Sequence, residues 1–186
     1  MMYAIYAADG KIECVLKGRV APPPSQSVIP LNASEYNALL NNLAAWRVVG
    51  GKITPYTQPQ AEQLADAIVV QKRIVTAACV SAMTGGFVSS ALGSAHTYPA
   101  TLTDQHNLSG SVVSSLLPNL PSGWTTSFWC MDSTGAWAFT PHTAAQIQQV
   151  GLDGKAWITA QQEKLASLNA QIEVATTVSE VTAIIW

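Results

Sequence analysis

The stretch whose reading decides the fold is Trp124-Thr125-Thr126-Ser127-Phe128-Trp129-Cys130-Met131-Asp132-Ser133-Thr134-Gly135-Ala136-Trp137-Ala138-Phe139. Two segments rich in aromatic and Thr residues flank Asp132-Ser133-Thr134-Gly135, where small polar residues and a glycine form a turn. The pattern predicts a β-hairpin from Trp124–Trp129 and Ala136–Phe139. Trp124, Phe128, Trp129, Trp137 and Phe139 put five large rings into sixteen residues. Rings at this density form a domain core more often than a surface; exposed, they could bind sugar faces or partner side chains.

Outward toward the C-terminus, Thr140-Pro141 has the cap-plus-proline signal of a helix start. An apolar stripe then runs through Ile147, Val150, Trp157, Ile158, Leu165, Leu168, Ile172 and Ala175. Gly151 and Gly154 weaken it, leaving two helices or one kinked helix open. Thr177 and Glu180 form a capping box before a last short helical turn, with Val181, Ile184, Ile185 and Trp186 apolar.

Outward toward the N-terminus, residues from Phe87 to the hairpin are dominated by Ser, Thr and Gly and read as loops with short strands. Before them, Thr57, Pro59 and Gln60 open a helix reaching about Met83, stopped by Gly85-Gly86. Leu64, Ile68, Val75, Ala78 and Ala82 form a heptad-like stripe, with Gln71 in the missing position. That stripe suits a bundle or short trimeric stem, and equally a helix packed on its own domain. Residues 1–56 read as a compact unit. Tyr3–Ala7 and Lys11–Leu16 form a hairpin around Ala8-Asp9-Gly10, and Pro22-Pro23-Pro24 is an extended connector. Ser34 caps a helix through Trp46, and Gly50-Gly51 turns a second hairpin.

Charged residues make up only 11% of the 186 residues, and the formal net charge is −2. So little charge suggests a surface partly buried against other subunits; a Ser/Thr/Gln-rich surface is the alternative. Nothing here provides the basic face needed for nucleic acid. No uninterrupted apolar run approaches the ~20 residues of a membrane helix, and Met1-Met2-Tyr3 lacks a secretion signal's basic flank. Synthesis and assembly in a cytosol, without membrane insertion, is expected. Cys14, Cys79 and Cys130 lack C-x-x-C spacing and are expected as buried free thiols.

Candidate chemistry is sparse. Asp104-x-His106 could hold a metal or pair with Ser109, but an Asp after Thr at such a position more often caps a helix or turn. No phosphate loop, nucleophile elbow or H-E-x-x-H pair occurs. The chain is therefore expected not to be an enzyme and to carry no cofactor or metal.

Gly86-Phe87, Thr103-Asp104-Gln105, the Asp132–Trp137 turn, the segment after Pro141 and the Ile172–Trp186 close follow one another in an order of their own. Together they resemble a small domain of uncharacterised function found on tail-fibre and tail-tip proteins of tailed bacteriophages. Residues 1–56 are more loosely similar to the leader of phage fibre and fibre-assembly proteins. The resemblance implies a virion tail component and no enzymatic residues. This chain lacks the long repetitive shaft of a receptor-binding fibre, which points to a small fibre, tip or baseplate adaptor.

The expected fold class is α+β. It comprises a hairpin-helix-hairpin attachment unit over 1–56, a connecting helix and possible oligomerisation stem over 57–85, and a C-terminal domain over 86–186. The expected function is structural, through assembly with other phage tail proteins and host attachment. A tail-fibre assembly chaperone is the alternative, and a small hydrolase or metal-dependent enzyme using Asp104 and the histidines is the third reading. Assembly as a homo-oligomer, with a trimer favoured, would use Leu64, Ile68, Val75, Ile147, Val150, Leu165, Leu168 and Ile172 as the interface.

Overall fold

In a computed structural model, residues 1–18 and 27–186 are described. The Pro22-Pro23-Pro24 connector falls outside them. The chain is mixed α and β, with three small antiparallel sheets among the described residues. It divides into two compact units, Met1–Gln63 and Leu64–Trp186.

In the N-terminal unit, β1 (Met2–Tyr6) is central between β2 (Ile12–Lys17) and β3 (Val28–Leu31). Helix α1 (Ala33–Asn41) is capped by Asn32 rather than Ser34, in a capping box completed by Glu35. It ends before Trp46. A 3-10 turn at Leu43–Ala45 follows, and Trp46 opens β4 (Trp46–Val49), paired with β5 (Lys52–Pro55). The β-branched run after Trp46 and the turn at Gly50-Gly51, with φ of 56° and 73°, favour a hairpin over further helix. Ala4, Ile12, Leu31, Leu39 and Val48 form the core. Cys14 is exposed, contrary to the buried expectation, because the bulge at Glu13 shifts the register of β2, so that Val15 opposite Ala4 turns to the core and its neighbour Cys14 away from it.

Helix α2 (Gln60–Thr84) ends close to where Gly85-Gly86 predicts. By length and composition it could cross a membrane, with a most apolar window of mean hydropathy 1.3 that is 17% buried. Lys72 and Arg73 within it hide this from a search for uninterrupted apolar runs.

The C-terminal unit carries a four-stranded sheet in the order β6 (Phe87–Ser89), β7 (His96–Tyr98), β8 (Thr125–Met131), β9 (Trp137–Thr143). Helix α3 (Leu102–Ser115) stands where loops were expected. Its Ser, Asn and Gly content is poor for helix, but Thr101 and Asp104 form a capping box and Leu108 is buried against the sheet. Thr140 and Pro141 belong to β9, not to a helix start. Proline is tolerated there because β9 is the sheet's edge. The helix begins after Thr143, which caps it with Gln146.

That helix, α4 (Ala144–Val174), is one continuous element of 31 residues. Its glycines serve contact. A Cβ on Gly154 would lie 2.9 Å from Phe87 Cζ and within 3.3 Å of two further ring carbons. A Cβ on Gly151 would lie 2.8 Å from one methyl of Val112, with the other Val112 atoms near 3.9 Å. Gly154→Ala should therefore destabilise by about 1–2 kcal/mol net, since a packed ring must move. Gly151→Ala should be near neutral, because one methyl can turn away and alanine gains about 1 kcal/mol of helix propensity. Urea unfolding midpoints of the two variants check this contrast.

Helices α2 and α4 run antiparallel. Lys72 Nζ meets Glu173 Oε1 at 2.7 Å, Cys79 Sγ donates to the Gln161 carbonyl at 3.5 Å, and Trp157 Nε1 donates to the Ala82 carbonyl at 3.2 Å. A short helix α5 (Val178–Ala183) closes the chain, capped by Thr177 and Glu180 as the sequence predicts.

Candidate functional site

The hairpin β8–β9 pairs over seven residues, with Ser127 opposite Pro141, Trp129 opposite Phe139 and Met131 opposite Trp137. Its turn is fixed by Asp132, whose Oδ1 accepts from the Thr134 N–H, the Thr134 hydroxyl and the Ala136 N–H. These bonds, the Thr134 hydroxyl first, hold the Asp132 carboxyl below the ordinary carboxylate range. Gly135 supplies the positive φ of 86°.

Alternation along the two strands divides the aromatics. Phe128 and Cys130 point inward to Tyr98, Phe87, Leu108, Ile147 and Val150. Trp129, Trp137 and Phe139 point to the other face and are 40%, 41% and 69% exposed. Trp129 stacks on Trp137 with centroids 6.1 Å apart and planes at 16°; Phe139 leans on Trp129 at 4.9 Å. The single-core expectation for the five rings thus holds for Phe128 and for Trp124 packed against that core, and fails for these three. They form a platform in water.

Beside the platform lies a groove of about 720 Å³. Strand β7 pairs with β8 at Thr97 and Met131 and ends at Tyr98, so the rest of β8 keeps a bare edge among the described residues. That edge, from Thr126 to Trp129, faces α3, which contributes Asp104, His106, Asn107 and Ser111. Lys and Arg are absent from the lining. Asp104 Oδ2 accepts from the Thr101 N–H and hydroxyl, closing the α3 cap. Ser109 donates to the Gln105 carbonyl, so Asp104 and Ser109 do not pair. Among the described residues no cluster of three or more His, Cys, Asp or Glu could hold a metal.

Under the sheet, the one histidine taken inside is His142, fully buried. Its Nδ1 lies 2.8 Å from the Thr140 carbonyl and must carry the proton; Nε2 then accepts from the Tyr98 hydroxyl at 2.8 Å. Burial lowers the His142 pKa, against the Thr140 bond, and burial raises that of Tyr98. The pair is a satisfied core contact that fastens β7 to β9.

The residues expected at an oligomer interface fall into two clusters inside one chain. Leu64, Ile68, Leu165 and Leu168 pack around Val75, Ile172 and Val181. Ile147 and Val150 belong to the sheet core with Phe87 and Tyr98. Val75, Ile147, Val150 and Ile172 have no exposed surface, so their side chains hold the chain's own fold and present nothing to a partner. The heptad spacing was legible; what it packs against was not, because α4 follows about sixty residues after α2 in the sequence.

A four-stranded antiparallel sheet, backed by two helices on one face and showing aromatic rings on the other, defines the C-terminal unit as a mixed α and β domain. The chain belongs to the family described as Domain of unknown function (DUF4376), whose model matches residues 70–185. Neither the curated proteins nor the solved structures contain a match.

Proposed function

We propose that this protein is a structural component of a bacteriophage tail, as a small fibre, tip or baseplate adaptor, acting by self-assembly and attachment. The phage setting is supported by the resemblance of the last hundred residues to tail-fibre and tail-tip proteins. The observation that carries the assembly reading is the outer face of α2. There Val69, Val70, Ile74 and Val80 are at least half exposed. Val70, Ile74 and Ala77 recur at spacings of four and three, on the side of α2 turned away from α4. Exposed Asp66 and Arg73 lie beside these residues, yet so many open apolar side chains on one helix of a chain with 11% charge support an association surface. A homotrimer built on this face replaces the interface expected from Leu64, Ile68 and Val75.

Light scattering at several concentrations tests it, together with mass spectrometry of purified particles. The expected mass is three times 19.7 kDa, falling to 19.7 kDa in Ile74→Glu with the far-ultraviolet circular dichroism unchanged and the melting temperature no longer dependent on concentration. A monomeric protein absent from particles overturns the reading. A protein absent from mature particles but captured on a fibre protein during assembly identifies the assembly chaperone instead.

A further inference from the structure

We propose that the aromatic platform and the adjoining groove form a binding site for a neutral saccharide. This deepens the attachment role above and rests on it for its biological setting. The two walls of the groove differ in chemistry. One is made by Trp129 and Phe139, which keep much of their ring surface in water although they lean on each other. The other is α3, which presents His106, Asn107 and Ser111 and no aliphatic side chain. A pyranose ring has the same two aspects: a face of C–H groups that packs on an aromatic ring, and a rim of hydroxyls that both donate and accept.

The polar groups are available. His106, Asn107, Ser111 and Ser127 make no side-chain hydrogen bond to any described residue, and Asp104 engages only Oδ2 in its cap. The bare edge of β8 adds main-chain donors and acceptors between Thr126 and Trp129. A volume of about 720 Å³ is within the range of small-ligand clefts, about 300–1,000 Å³. Charge selects among glycans. Asp104 is the one carboxylate on the lining and no Lys or Arg balances it, so uronic, sialic or phosphorylated sugars meet no counter-charge. A peptide added to the β8 edge would need apolar pockets for alternate side chains, and α3 offers polar groups in their place.

The whole chain, fluorescently tagged, is applied to immobilised neutral oligosaccharides of glucose, galactose, mannose and N-acetylglucosamine, beside acidic glycans and random peptides. Retention on neutral glycans is expected. Trp129→Ala and Phe139→Ala should each weaken it about tenfold, and Asn107→Ala about threefold. Phe139→Trp should keep it, because the ring face is preserved. Far-ultraviolet circular dichroism of these variants should match the parent, with a modest fall in melting temperature for Trp129→Ala, which loses its cross-strand ring contacts. Retention on none of the neutral glycans, on acidic glycans or peptides alone, or undiminished in both ring-to-Ala variants overturns the proposal. The tail reading fails separately, on absence from particles, so either can fall while the other stands.

Discussion

Gly10→Ala should cost the N-terminal unit about 3 kcal/mol or more, the larger part from a collision with backbone rather than side chain. Gly10 has a φ of 81°, which alone disfavours any residue with a Cβ. The added Cβ would stand 2.3 Å from the Val48 carbonyl oxygen and 3.3 Å from its carbon. Neither atom can rotate away, because Val48 is held in β4 and its N–H donates to the Gly10 carbonyl at 2.9 Å. This is also where the first hairpin meets the second, through the Lys11–Arg47 bridge. Relief therefore means parting the two. Native-state amide exchange at Val48 should accelerate more than about 100-fold, while amides of β8 and β9 keep their protection. Unchanged exchange at Val48 would show that the contact is not tight.

His142→Ala should lower the stability of the C-terminal unit by about 3–5 kcal/mol. It removes a fully buried ring, opens a cavity beneath β9, and leaves the Tyr98 hydroxyl buried without its acceptor. Chemical denaturation followed by the circular dichroism of the aromatic rings reads the loss. A pH profile identifies the residue. The folded pKa of His142 is lowered, chiefly by burial, so the unfolded chain binds its proton first as pH falls. Stability from this group is complete above the unfolded value of about 6.5 and declines as pH drops below it toward the lowered folded value. His142→Ala should lack that decline. A variant retaining it would place the responsible group elsewhere.

Local signals in the sequence were read well where chemistry acts over a few residues. Ala8–Gly10, Gly50-Gly51 and Asp132–Gly135 mark three hairpins that form, and Thr177 with Glu180 marks the last helix. Boundaries misled at Ser34 and Trp46, and more consequentially in the C-terminal unit. Thr140-Pro141 carries a helix-start signal, but proline also suits an edge strand, and only the pairing of Pro141 with Ser127 decides between them. Helix α3 was hidden by low propensity, although Thr101-x-x-Asp104 announced it; the Asp weighed as a possible metal ligand completes the capping box that Thr101 begins. The platform was partly legible. Phe128 and Cys130 alternate with Trp129 and Met131, which foretells two faces. Which face the helices would cover depended on α3 and α4, and so lay beyond any local pattern.

Gln71 is buried on the inner face of α2, and its amide donates to the Ile184 carbonyl at 2.6 Å across 113 residues of chain. Val75 waits likewise for Ile172 and Val181. During synthesis at about 5–20 residues per second, α2 leaves the ribosome roughly 6–23 s before its last partner. Through that interval the face destined for α4 is bare, beside the exposed Val70 and Ile74 on the outer side. A nascent chain in this state invites pairing with its neighbours on the same message, so slow translation would favour aggregation and rapid completion a clean fold.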